Sequence, residues 1–224
     1  MKKSFMQTIG FPVLMMGIIL ISLSVPFQSC EPKDDECDND SIIVYKPNIY
    51  LYPAEESQID VKLSFPLGGR IVTSVPAYGN GWHVNAVPSG MIDDKFEYLF
   101  YESVQPDIWQ LQEGWIISKS ELNSFFSNNM HEYGFNEREI KDFLDYWIPR
   151  LVDFNYYEIY PQHSNIIETA IKLEIQKNPD NVLRLFYVIK GSADSSDTSI
   201  KAPGKVSKFN REGFVVTEWG VIIK

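Results

Sequence analysis

The sequence predicts an α+β fold: an antiparallel β-sandwich or twisted sheet with an inserted helical hairpin. Three observations predict it. From Ile42 onward, short runs of β-branched and aromatic residues are bounded by Pro, Gly and Asn, as strands are. Between about residues 118 and 149 the apolar residues recur at helical spacing instead. Strand-like runs then resume and continue to Lys224.

The first strands expected are 42–53 (IIVYKPNIYLYP), 59–65, 70–76, 81–88 (GWHVNAVP), 96–103 (FEYLFYES) and 114–118. Between them lie Pro66-Leu67-Gly68-Gly69, Tyr78-Gly79-Asn80-Gly81 and Pro88-Ser89-Gly90, turns in which glycine supplies positive φ. This half reads as an antiparallel meander. Ser118 with Glu121 three residues later has the form of a capping box, and Leu122, Phe125, Phe126, Met130 and Tyr133 follow at helical spacing up to Gly134. Asn136 with Glu139 starts a second helix in the same way; Ile140, Phe143, Leu144, Trp147 and Ile148 share one face, and Pro149 stops it. Stripes this apolar require a sheet to lie on. Strands return at 155–161, 170–176 and 182–190, the last two joined by the turn Asn178-Pro179-Asp180-Asn181. Residues 191–204 are small and polar and read as a loop, and 214–224 is apolar enough to pair inside a sheet.

The N-terminus stands apart from this domain. Lys2 and Lys3 precede a 23-residue stretch, Phe5 to Phe27, whose only polar side chains are Gln7, Thr8, Ser22 and Ser24. A basic start, an apolar centre and small residues before a cysteine form a secretory signal over residues 1–29. FQSC, ending at Cys30, resembles the lipobox of bacterial lipoproteins in the looser form found in Bacteroidota, which implies acylation of Cys30 and an outer-membrane location. The alternatives are an uncleaved membrane-spanning helix and a Cys30–Cys37 disulfide. Residues 30–41 are acidic and read as a flexible tether. Within it Lys33-Asp34-Asp35 resembles the export signal of surface-exposed lipoproteins, and acids on both sides of Cys37 disfavour its thiolate. Residues 42–224 form a single β-rich globular domain.

The chain carries 20 basic and 30 acidic residues, and loss of Lys2 and Lys3 with the signal leaves 18 against 30, a net charge of −12. Such a domain is unsuited to nucleic acid, which calls for basic patches. The partners expected are the membrane, through the lipid, and a glycan or another envelope protein.

KPNIYLYP (46–53), GW-x-V-x-A-x-P (81–88), YLFYE (98–102), FLDYWIPRL (143–151) and GFVVTEWG (213–220) together resemble an uncharacterised family of bacterial secreted proteins and lipoproteins. The resemblance spans about Lys46 to Gly220 and implies a shared fold and export, with no reaction to inherit. YLFYES departs from the family pattern, in which tryptophan usually precedes the glutamate.

For chemistry, His83, His131 and His163 show none of the spacings of zinc motifs, and no metal or cofactor is expected. Glu102, Glu158 and Glu218 lie beside aromatics; any two of them about 5–10 Å apart would suit glycoside hydrolysis. The competing reading is that they line solvated strand edges or pair with arginines such as Arg150 or Arg184. Trp82, Tyr156 and Tyr160 are candidates for a ligand-binding face, with Tyr50, Tyr52 and Tyr101 as further possible members, since flat rings stack on sugars. The leading functional reading is a non-catalytic ligand- or partner-binding module displayed at the membrane. The alternatives are a glycan- or peptidoglycan-acting hydrolase and a scaffold subunit of an envelope complex.

Overall fold

The structure is a computed structural model that describes residues 41–194 and 200–224. The signal sequence, the expected acylation at Cys30 and all of the tether before Ser41 lie outside the described residues, as does part of the polar loop 191–204. In chain order the elements are β1 (Ser41–Tyr52), β2 (Ser57–Ser64), β3 (Arg70–Val75), β4 (Trp82–Ala86), β5 (Leu99–Pro106) and β6 (Trp115–Ser118). The helices α1 (Leu122–Tyr133) and α2 (Glu137–Trp147) follow, then β7 (Tyr156–His163), α3 (Ser164–Ala170), β8 (Lys172–Ile175), β9 (Asn181–Ser192) and β10 (Val215–Ile223).

The strands form a seven-stranded sheet, ordered β3-β5-β1-β10-β9-β7-β6, and a three-stranded sheet, ordered β4-β2-β8. β9 and β10 run parallel, and the other paired neighbours are antiparallel. The fold is the expected α+β class, but the expected meander does not form. Consecutive strands alternate between the sheets: β1, β3 and β5 lie in the larger, β2 and β4 in the smaller. Burial explains why. In β2 only Ser57, Ile59, Val61 and Leu63 are buried, so it has one wet face and suits an outer layer. β1 is buried on both faces from Pro47 to Leu51 and needs cover on both sides, so the chain must cross over between them. The turn at 178–181 likewise joins strands of different sheets, β8 and β9.

Three layers result. Ile59, Val61, Trp82 and Val84 of the small sheet close over Leu99, Tyr101, Phe186 and Val216 of the large one. On the opposite face Phe126, Met130, Ile140 and Phe143 of the helical hairpin cover Tyr50, Tyr187, Trp219 and Val221. Ring contacts set the fit, with Phe126 5.3 Å from Tyr187 and Phe143 5.2 Å from Trp219 between centroids.

The hairpin ends are built as the sequence implies at one helix and not at the other. Asn136 accepts the Glu139 N–H at 3.0 Å while the Glu139 carboxylate accepts the Asn136 N–H at 2.7 Å, a complete capping box. At Ser118 the box is absent: the hydroxyl is spent on the Glu121 carboxylate, a 3₁₀ turn occupies Lys119–Glu121, and α1 starts only at Leu122. Gly134 ends α1 with φ 106, and a Cβ there would meet Phe209 Cβ at 2.6 Å. Helix α3 is an unexpected element; only Ile167 and Ala170 of its seven residues are buried, too few to raise a helical period in sequence.

Glu139 also locks the hairpin to the rest of the fold. It is fully buried, accepts from Thr217 Oγ1 at 2.6 Å, and pairs bidentately with Arg211 at 3.1 and 3.0 Å. Removing one partner of such a pair strands a buried charge at a cost of about 3 kcal/mol or more. Arg211→Ala is therefore expected to lower unfolding stability in urea by about that amount, whereas Asn136→Ala, which loses the cap hydrogen bond and its donation to Tyr52 Oη, is expected to cost about 1–2 kcal/mol.

Candidate functional site

Parallel pairing of β9 and β10 sets Glu218 directly beside Arg184, both facing the space between the sheets. They are 0 % and 2 % exposed. Arg184 Nε donates to Glu218 Oε2, and Nη1 donates to Glu168 Oε1 and, at 2.8 Å, to the carbonyl of Ile171. Tyr101 completes the network by donating its hydroxyl to Glu218 Oε1 at 2.7 Å. Burial works against the guanidinium charge, but Glu218 beside it more than offsets this and holds Arg184 protonated. Burial first, and then Glu218, push the Tyr101 hydroxyl well above its ordinary value, so it acts as a donor only. Arg184 Nη2 is buried and has no acceptor among the described residues.

Arg184 lines a groove of about 660 Å³ together with Ser164, Glu168, Leu173, Ile175 and Val182. Two strand edges border it. β8 is the outermost strand of the small sheet. On β9, pairing with β7 begins only at Leu185, so Asn181 to Arg184 pair with β10 alone. The direction of the β8 backbone groups follows from alternation. The Gln176 N–H donates to the Asp60 carbonyl of β2 at 2.9 Å, so Glu174 and Lys172 also face β2, while Leu173 and Ile175 turn their N–H and C=O outward. The Ile171 carbonyl, next in this outward row, is the one held by Arg184.

The glutamates singled out in the sequence are not brought together. Glu102 follows Tyr101 on β5 and so faces the helical layer, opposite to the Glu218 side. Glu158 lies on the sandwich side, accepts the Tyr160 hydroxyl at 2.7 Å and pairs with Lys190 at 3.1 Å. Its register partner Lys190 is six residues along β9 from Arg184, so Glu158 and Glu218 are separated by about 20 Å. Of the aromatic candidates, Trp82 is buried in the sandwich core with its indole N–H on the Pro76 carbonyl, Tyr160 is buried beside Glu158, and Tyr156 is half-buried at the start of β7. They do not form one surface. Among the described residues no cluster of three or more His, Cys, Asp or Glu is placed to hold a metal ion.

Lys46, which the sequence reading passed over except as a motif letter, occupies a second notable position. A bulge between Tyr45 and Asn48 breaks the register of β1 with both neighbours, and Lys46 has φ 56 immediately before Pro47. Its ammonium lies 4.7, 4.4 and 5.3 Å from the ring centres of Tyr98, Phe100 and Tyr146 and donates to Tyr98 Oη at 3.3 Å. Burial lowers its pKa, opposed by Asp142 and Glu102. The arrangement clamps β1, β5 and α2 together through one cation.

Comparison of the chain with known protein families, with curated proteins and with solved structures found no match. The groove therefore stands on its own chemistry.

Two outcomes follow. Arg184→Met leaves Glu218 buried and unpaired and is expected to cost about 3–5 kcal/mol in urea unfolding, while adding Glu218→Leu to it restores most of the loss, because a buried pair is close to neutral against an apolar replacement. His163 lies 5.6 Å from the Tyr133 ring and burial lowers its pKa. Its contribution to stability is then present above the ordinary histidine value near 6.5 and is lost as pH falls through the lowered folded value. His163→Gln is expected to flatten the acid-side loss of thermal stability that begins below about pH 6.5.

Proposed function

We propose that the chain is an envelope lipoprotein, tethered to the outer membrane through Cys30 and open to display at the cell surface, whose folded domain is a non-catalytic partner-binding module. This reading places it with the uncharacterised bacterial secreted proteins and lipoproteins that its KPNIYLYP and GFVVTEWG segments resemble. The observation that carries the binding role is the groove beside β8, with outward-facing backbone groups at Leu173 and Ile175 and a lining that mixes apolar Leu173, Ile175 and Val182 with charged Glu168, Lys172 and Glu174. Those features fit an extended polypeptide laid along β8 as an added strand, in which main-chain hydrogen bonds supply affinity. A hydrolase would need two carboxylates across one cleft; Glu158 and Glu218 are each held by a cation and a tyrosine, and Glu102 lies on the other face of the sheet.

Among the described residues no helix is long and apolar enough to cross a membrane. In this reading the anchor is the set of acyl chains on Cys30. Two or more such chains hold durably, at about 0.8 kcal/mol per buried methylene. In detergent phase partitioning the mature native chain is expected in the detergent phase, and a chain that starts at Glu31, exported behind a signal cleaved without lipid attachment, in the aqueous phase; a native chain in the aqueous phase contradicts the anchor. A photo-crosslinking amino acid at Val182 in intact cells is expected to give a discrete adduct, while the same probe at exposed Val72, on the far edge strand β3, gives none. Equal labelling from both positions, or none from Val182, contradicts the binding role.

A further inference from the structure

We infer that the strand accepted at the β8 edge is β8 of a second copy of this chain, so that two small sheets join into one six-stranded sheet. The inference rests on the partner-binding reading and names its partner. Its basis is a self-complementary sequence on an edge that pairs with no strand among the described residues. An antiparallel two-fold through Leu173 sets Leu173 against Leu173 as a hydrogen-bonded pair, flanked on each side by Ile171 against Ile175, where the Ile175 N–H can reach the Ile171 carbonyl but the Ile171 N–H is already spent. The same operation sets Lys172 opposite Glu174 of the partner copy, twice, as non-hydrogen-bonded pairs, in which side chains approach most closely. Lys172 and Glu174 are both exposed and already pair with each other at 2.8 Å within one chain, so their heads occupy the same outer face. On the inner face Leu173 and Ile175 are half-buried and border the groove, leaving apolar surface for the added strand to cover.

The backbone supports this register. Leu173 and Ile175 direct their donors and acceptors away from β2. The Ile171 N–H is already spent on the Ile167 carbonyl of α3, so at that end only the carbonyl is offered. Arg184 Nη1 takes one lone pair of that carbonyl and leaves the other for an added strand. The other edges are less open. β3 is bulged between Ile71 and Thr73 and begins at Arg70; β4 is continued by the bridge from Ala86 to Ile92; immediately before β6 the Gly114 N–H is taken by the Lys201 carbonyl. A ladder this short is weak in solution. Copies held on one membrane by lipid meet at a raised effective concentration, which is where the pairing would form.

The test is sedimentation of the full chain in detergent micelles over a range of concentrations, with Lys172→Glu, Glu174→Lys and the doubly exchanged variant alongside. The native chain is expected to show a monomer–dimer equilibrium. Each single reversal places like charges opposite one another at two symmetric positions and is expected to weaken the dimer about tenfold, whereas the double exchange restores opposite charges and the native dissociation constant. Both positions are exposed, so at a dilution where all four proteins are monomeric their melting temperatures should differ only by the small effect of the intrachain Lys172–Glu174 and Lys62–Glu174 contacts. A chain that stays monomeric throughout, or a dimer indifferent to the single reversals, overturns the inference. The anchor fails or stands separately, by partitioning of the chain. The wider binding role is separable too: a Val182 adduct at twice the chain mass supports the second copy, whereas an adduct of another mass from a monomeric chain overturns it and leaves the module with a different partner.

Discussion

Everything in this fold follows from burying the parallel pair β9 and β10 on both faces. β10 is buried from Val215 to Ile222, and β9 from Arg184 to Ile189, without the wet alternate positions of an outer strand. Parallel strands with no exposed face require a covering layer above and below. The helical hairpin supplies one and the three-stranded sheet the other. Trp219 and Tyr187 point to the helices, while Val216 and Phe186 point to the small sheet.

The charges placed in this core serve register more than stability. Thr217 reaches Glu139 under the hairpin, and its neighbour Glu218 reaches Arg184 under the small sheet. A slip of β10 by one residue would exchange those faces, setting the Glu218 carboxylate among Phe143 and Tyr187 and leaving Arg184 without its counter-charge. A buried ion pair gives little net stability against an apolar replacement, but breaking it is costly, so wrong registers are penalised strongly. The Lys46 clamp acts at the opposite side of β10, holding β1 and β5 to α2 through a single ammonium among three rings.

Local elements were legible in the sequence because local physics makes them. Alternating Ile59, Val61 and Leu63 announce a one-sided strand, and Asn136 with Glu139 announces a helix start. Pairing order was not legible. It depends on which strands are buried on two faces, and the long apolar run of β1 was the one signal that a meander of one-sided strands would not serve. Ser118 failed as a cap because its hydroxyl had a nearer carboxylate to bond. At the site, Glu218 stood out through its aromatic neighbours, and Arg184 was one of the arginines expected to pair with such glutamates. The groove beside them was hidden, since it is bounded by α3, β8 and β9, whose meeting is set by the crossover between sheets. Trp82 and Tyr160 read as sugar-facing rings but lie inside, because each sits on the face of its sheet that packs against the other sheet.

An interior layer this completely enclosed and an outer strand this open must differ in how their amides meet solvent. Residue-resolved hydrogen exchange on the dilute, monomeric chain measures that difference. The account predicts that Leu185 to Val188 of β9 and Val216 to Ile222 of β10 exchange only through global unfolding, while Leu173 and Ile175 of β8 exchange far faster than Lys172 and Glu174 beside them. Fast local exchange along β10, or equal protection at all four β8 amides, would contradict it.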